Sequence, residues 1–492
     1  MDAVASARDW RGVLQIPGGR RLWAWLAALA ALEVWIAYAA SASPLAFVLA
    51  VLFAAALASS FASTLAGLVL IILFQIRILQ GSVGIGLDEI AYASLFLATF
   101  AGWALRDGPT ELGRRILASP LGRAILLFLG VCLASLVTTV VFGWSPLWWF
   151  RDFVAFSYML LFFPIAATLT TRRASIAIAA ALLAVVLFHG ILSIVWYAQA
   201  IATTKAAWQL EWQRAPLHEV FAMTAVVGGL ALFLAARTVR AAAASVLLSL
   251  PGLAALVVSQ TRGYWLATAL AGLVVVALSR GRRLRVVWFA GIVLALVLAA
   301  GFAALGGKFV GVITSTAGRF STITSPLRAV SVQERVAETD AVLSLIPGSP
   351  VVGHGLGAEV SYMSPIVHRV LTRTYLHNAY LYILYKLGLV GLAVFAAFYA
   401  RALRRVWLSV RRPGDATSGA AMVAGFALLL AFLPLSLTSP QYYDKSSALV
   451  IALILGAAEA IGQSAAARAR GGVADARGGL SAAGRADAQT GQ

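Results

Sequence analysis

The sequence is short of charge, and above all of negative charge. Asp, Glu, Lys and Arg make up 12% of its 492 residues, with 19 acidic residues against 38 basic ones. It has a single cysteine, Cys132, and five histidines. One cysteine excludes a disulfide framework. Hydrophobic residues reach 61% and the mean hydropathy is +0.89, well above the ~45–50% apolar share of soluble domains. A soluble enzyme and a disordered chain are thereby excluded. No Walker loop, zinc-type Cys/His spacing or lipoprotein motif is present, and no inverted repeat is visible. The scarcity of acid leaves a net charge of +19. In a soluble protein that would suggest nucleic acid; in an apolar one the first question is which side of a membrane holds it.

Apolar stretches fall near 22–42, 44–58, 61–76, 88–105, 123–142, 152–171, 174–199, 216–236, 241–259, 263–279, 286–305, 378–400, 420–438 and 446–463. They predict an all-α polytopic integral membrane protein of about 14 transmembrane helices. Segment 44–76 is too long for one tilted helix, and Ser59-Ser60 is its natural break, giving two short spans or a re-entrant pair. With that break, the segments assigned to the cytoplasm carry 25 of the 38 basic residues. Without it the basic clusters would face outward, against the positive-inside rule.

The expected organisation is a cytoplasmic N-terminus 1–21, transmembrane helices 1–11 over 22–305, and one large periplasmic loop 306–377. Transmembrane helices 12–14 follow over 378–463, then a disordered cytoplasmic tail 464–492. Both termini are then cytoplasmic, and the first span is an uncleaved anchor. The basic excess faces the anionic leaflet, with no need of a nucleic-acid partner.

The long loop is far more polar than the rest. Ser331-Val332-Gln333-Glu334 reads as a capping box opening a helix to about Ile346. That helix carries Val332, Val336, Leu343 and Ile346 on one face, an amphipathic pattern for a helix on the membrane surface or over the bundle mouth. Pro347-Gly348-Ser349-Pro350 ends it, and the glycines of Gly353-His354-Gly355-Leu356-Gly357 allow a turn against a ligand or a neighbouring helix. The loop closes on His377-Asn378-Ala379-Tyr380-Leu381, where the next span starts. A histidine at a helix N-terminus meets the positive end of the dipole, which favours the neutral imidazole a general base needs. The bland alternative is that His377 and Asn378 only cap the helix.

Arginines form a second line. Arg262 lies in a connection of about four residues between spans, Arg214 precedes the span opening at Pro216-Leu217-His218-Glu219, and Arg335 is on the loop helix. Guanidinium groups at such depth are functional candidates unless paired, and they grip phosphate oxygens bidentately. Snorkelling to headgroups is the reading for Arg77 and Arg151. Lys386, about two turns into its span, faces a wet cavity or snorkels. Trp144, Trp148 and Trp149 fit interfacial anchors, and His189 a hydrogen-bonded bundle histidine. Outer carboxylates are few, Glu334, Glu338, Asp340 and Glu359, so no carboxylate-held metal and no other cofactor is suggested.

Three stretches in this order resemble the O-antigen ligase and O-antigen polymerase family of membrane glycosyltransferases. They are Ser259-Gln260-Thr261-Arg262-Gly263-Tyr264-Trp265, Gln333-Glu334-Arg335 leading to Ser349–Gly357, and His377–Leu381 continuing to Leu387–Leu392. The resemblance implies a GT-C-like fold in a bacterial inner membrane, with the active face periplasmic. It implies inverting, metal-independent transfer of an undecaprenyl-diphosphate-linked glycan to a lipid-linked or lipid A core acceptor, in lipopolysaccharide or exopolysaccharide synthesis. Membrane lipids and a chain-length regulator are the further partners it implies. Carried over residue by residue, Arg214, Arg262 and Arg335 hold the donor diphosphate and His377 is the base. His354 and His218 are departures from the family pattern that could rival His377; Asn378 and Tyr380 are secondary candidates beside it. The competing class is a transporter or flippase of a lipid-linked saccharide, which would spread charge through many mid-membrane positions.

Overall fold

The computed structural model describes residues 44–76, 87–203, 218–279, 283–306, 308–321, 330–411 and 415–464. Arg77, Arg214, the expected first span 22–42 and nearly all of the tail lie outside them.

The described chain is a bundle of helices with one small hairpin. Helix α1 (Pro44–Ala62) and α2 (Thr64–Leu73) meet at Ser63, whose extended backbone and Oγ, accepting from Ala66 N, start the second helix. The break falls there, a few residues beyond the expected serine pair. Helix α3 (Leu87–Arg106), the short α4 (Glu111–Leu117) and α5 (Pro120–Val141) follow. Ser119 caps α5, with proline in its first turn. Next come α6 (Pro146–Ser157), continued by a tight turn into α7 (Phe162–Thr168), then α8 (Arg172–Thr203), α9 (Glu219–Ala235), α10 (Val239–Ser259) and α11 (Arg262–Leu278). Helix α12 (Arg283–Leu305) and α13 (Lys308–Ser321) lead to α14 (Val330–Leu345). Antiparallel strands β1 (Val360–Met363) and β2 (Val370–Arg373) pair with Val360 opposite Arg373. The last described elements are α15 (Ala379–Arg411), α16 (Ala416–Leu435) and α17 (Lys445–Ser464).

Among the described residues eight helices are long and apolar enough to cross a membrane, and five shorter apolar ones accompany them. Each expected span from residue 44 onward has its helix. The ten residues of α2 give only about 15 Å, half an apolar core. Its start is tied to the end of α3, Thr64 Oγ1 donating to Asp107 Oδ2 at 2.9 Å. Just past its far end, the Gln75 side chain accepts from Ser446 Oγ (2.9 Å) and its carbonyl meets His189 Nε2 (2.9 Å). Helix α2 is short because it stops at polar groups deep in the bundle.

The segment expected as a loop is mostly regular structure, and its helix α14 is turned over relative to its apolar pattern. Val336 and Leu343 are exposed, whereas Glu334, Glu338 and Val342 are buried. The Glu334 carboxylate is not spent on the expected capping box. Ser331 lies inside α14, and Glu334 accepts instead from Tyr362 Oη (3.0 Å) and Ser364 Oγ (2.6 Å) on the hairpin. Satisfied carboxylates face inward because hydroxyl donors there replace water.

Helix α15 is broken at Gly388, which has φ +67°. The break strands carbonyls and amides that must be satisfied inside an apolar bundle, and the glycine loop satisfies them. His354 N donates to Tyr385 O and Gly355 N to Lys386 O, while Leu389 N and Val390 N donate to Pro350 O and Val351 O. Gly353, Gly355 and Gly357 all have positive φ, and a Cβ on any of them would strike the backbone of α15, α5 or α6. Of the two readings of these glycines, a neighbouring helix is the one observed.

Lys386 neither faces a wet cavity nor snorkels. It is fully buried, paired with Asp152 of α6 and set over the Tyr382 ring. Asp152 Oδ2 also accepts from Gly357 N at 2.9 Å. One carboxylate thereby ties α6, α15 and the glycine loop together.

Candidate functional site

His377 is the residue before the N-cap of α15. Asn378 is the cap itself, its Oδ1 accepting from Tyr380 N (3.0 Å) and Leu381 N (3.1 Å). The carboxylate of Glu338, on α14, reaches His377 twice: Oε1 accepts from the backbone N at 2.6 Å and Oε2 meets ring Nδ1 at 2.8 Å. Glu338 is buried and His377 keeps about a quarter of its side chain exposed. An ionised carboxylate can only accept, so the contact puts the proton on Nδ1 and leaves Nε2 as the basic nitrogen.

The histidine is held from its other side by an aromatic wall. Tyr375 meets its ring edge-on, centroids 5.1 Å apart. The Tyr443 hydroxyl donates to Leu376 O, its oxygen accepts from Leu376 N at 3.2 Å, and its ring stacks on Tyr382 at 3.8 Å. Burial pushes the Tyr375 phenol above the ordinary tyrosine range, as do Glu338 and Asp444, against the opposing pull of Arg335 and Arg373. Tyr375 therefore stays a hydrogen-bond donor at neutral pH.

Tyr375 and Tyr443 also line a cavity of about 310 Å³ whose wall includes Arg151, His218, Asp444 and Lys445. Both of its carboxylates are engaged: Asp152 with Lys386, and Asp444 with Ser447 N (2.8 Å) as the cap of α17. Arg151, expected to snorkel, lies on this wall with its guanidinium over Trp148. Trp149 is not an interfacial anchor either: it is buried and its Nε1 donates to Ser135 Oγ at 3.1 Å.

The other expected site residues divide. His218 lines the cavity and approaches Ser446 Oγ with Nδ1 at 3.1 Å. Arg262 heads α11, directly after Thr261, whose hydroxyl donates to Glu219 beside His218. Arg335 is half-buried on α14, close enough to act electrostatically on Tyr375. His354 is not part of this constellation. Its ring is buried between Phe142 and Tyr385 and approaches Tyr385 O with Nδ1 at 3.3 Å. Tyr380 donates to Leu433 O at 2.8 Å, a structural bond between α15 and α16. Sequence reasoning missed Glu338, Tyr375, Tyr443 and Lys445. For Glu338 a signal existed: it stands one helical turn after Glu334 on the same face.

Residues 243–396 match the family model described as O-antigen ligase. Over this stretch the chain is similar to the O-antigen ligase family. It contains Arg262, Arg335, Glu338, Tyr375 and His377, while Arg151, His218, Tyr443 and Lys445 of the cavity lie outside it. The matched segment thus supplies the Glu–His pair, and helices flanking it in sequence complete the cavity. None of the curated proteins matches the chain. A multi-pass membrane enzyme of glycosyltransferase type is the reading the family and the apolar helices support.

Proposed function

We propose that the protein transfers a glycan from an undecaprenyl-diphosphate carrier to an acceptor hydroxyl at the periplasmic face of the inner membrane. The observation that carries this is the grip of buried Glu338 on His377 beside a cavity walled by Arg151 and Lys445.

His377 Nε2 takes the proton of the acceptor hydroxyl, and Glu338 holds the ring and stabilises the imidazolium that forms. The acceptor oxygen bonds to the anomeric carbon as the bond from that carbon to the phosphate oxygen breaks. The lipid diphosphate leaves with the electron pair. Arg151 and Lys445 meet its charge, with Arg262 and Arg335 flanking, so that the charge is stabilised where it develops. One displacement inverts the centre. A retaining enzyme needs a second carboxylate as nucleophile, and those of the cavity are held by Lys386 and by the cap of α17. Neither metal nor cofactor enters these steps.

The test incubates purified protein with lipid-linked repeat units, with and without lipid A core, and separates the products on a gel. A ladder of products identifies a polymerase, and a shift only when the core is present identifies a ligase. Movement of the donor across a vesicle without any new glycosidic bond would overturn transfer in favour of a flippase.

A further inference from the structure

A second, larger cavity lies at the opposite end of the bundle. Arg401, Arg404 and Arg405 lie on the part of α15 beyond its break at Gly388. Helix α17 spans the distance: Lys445 of the first cavity opens it and Glu459 of this one stands fourteen residues on, about 21 Å of helix at 1.5 Å per residue. Together with Arg115 of α4 the three arginines line a cavity of about 510 Å³ whose single carboxylate, among the described residues, is Glu459.

That carboxylate is already engaged. Glu459 Oε2 accepts from Arg405 Nε at 2.7 Å, its carbonyl from Arg405 Nη2 at 3.2 Å, and Oε1 from Gln463 Nε2 at 2.8 Å. Gly462 of α17 makes room for this brace, since a Cβ there would overlap the Arg405 guanidinium. Arg115 is oriented by Glu111 at 2.7 Å. Arg405 and Arg115 are thus braced by carboxylates, while Arg401 and Arg404 are exposed and leave the cavity a net positive charge. Pro120, Leu121 and Leu408 give the same cavity an apolar wall.

Cations gathered beside an apolar wall, at the end of helices long and apolar enough to cross a membrane, match a phosphate with acyl chains attached. We propose that this cavity binds the phosphate headgroup of an anionic phospholipid, independently of the glycan site. Basic pockets between transmembrane helices suit such headgroups. Free phosphate would be met by the arginines alone and would leave the apolar wall unused.

The experiment measures lipid affinity of the full chain in detergent by native mass spectrometry and thermal shift. Probes are phosphatidylglycerol, phosphatidylcholine and inorganic phosphate. Arg401→Gln with Arg404→Gln is the test variant, because it leaves the Arg405–Glu459 brace intact. Arg114→Gln, on the exposed side of α4, controls for general charge. Phosphatidylglycerol should bind and stabilise the wild type. Its affinity should fall about thirtyfold in the double variant, about fivefold for each arginine lost near an anionic headgroup. It should hold in Arg114→Gln. Equal loss in both variants would make the effect unspecific and overturn the site. Stabilisation by inorganic phosphate as strong as by the lipid would overturn the lipid as ligand. Glycan transfer that persists in the double variant separates this result from the fate of the proposed function.

Discussion

Glu338 holds His377 by two atoms at once, the backbone N–H at 2.6 Å and ring Nδ1 at 2.8 Å. The two residues come from different helices, α14 and the entry to α15. A carboxylate that accepts from both cannot let the ring rotate without losing a bond to a buried charge. The orientation of the imidazole is therefore set by tertiary structure, and the helix dipole acts on a ring already fixed.

Replacing the carboxylate without changing its shape isolates that role. Glu338→Gln should lower kcat about 10²- to 10⁴-fold, as expected when the partner that fixes a base's tautomer is lost, with a thermal midpoint close to wild type. His377→Ala should lower it at least as far. Transfer of labelled glycan from lipid-linked donor is the readout, and wild-type kcat in either variant sinks the assignment.

The cations of the cavity should act on the donor. Arg151→Ala and Lys445→Ala should each weaken the donor by a KM effect of about tenfold, the size of one charge-assisted hydrogen bond. The acceptor KM should stay near wild type. A change confined to the acceptor would place the diphosphate elsewhere.

Asp152 and Lys386 form a buried pair in which each charge depends on the other. Removing one partner by Lys386→Met or Asp152→Asn should destabilise by about 3–5 kcal/mol, while the double variant should recover part of that loss. Thermal unfolding in detergent measures both, and additive losses would show that the pair is not coupled.

Gly353→Ala meets two obstacles, a φ of +72° and a Cβ that would fall 2.5 Å from the backbone of Lys386 and Gly388. It should destabilise by at least about 2 kcal/mol through strain and displacement of the loop from the break in α15. Gly311→Ala, a glycine with open space around it, should change the melting point little.

The metal-free proposal has its own check. Transfer should survive exhaustive chelation unchanged. Loss of activity restored by adding back a divalent cation would contradict it, since a carboxylate-held ion would then carry charge that the arginines are proposed to meet.

Much of this protein is determined by its sequence alone. Continuous runs of apolar residues near bilayer length become helices, because a helix satisfies its backbone in lipid within the run itself. Each described span accordingly lies where hydropathy puts it. The place of His377 at a helix start was legible too, since Asn378 directly after it caps α15. Helix α14 was legible in extent but not in orientation. Its valines form a proper apolar stripe, yet Glu334 and Glu338 turn inward because Tyr362, Ser364 and His377 wait there as donors. Periodicity records which residues share a face and cannot record what that face will meet. Arg151 and Lys386 show the same limit: one lines a cavity and the other closes on Asp152, a residue over 200 positions away in sequence. The sign and spacing of charges are properties of the chain. Whether a charge faces lipid, water or a partner is decided only when distant helices pack, because pairing energy depends on distance in space.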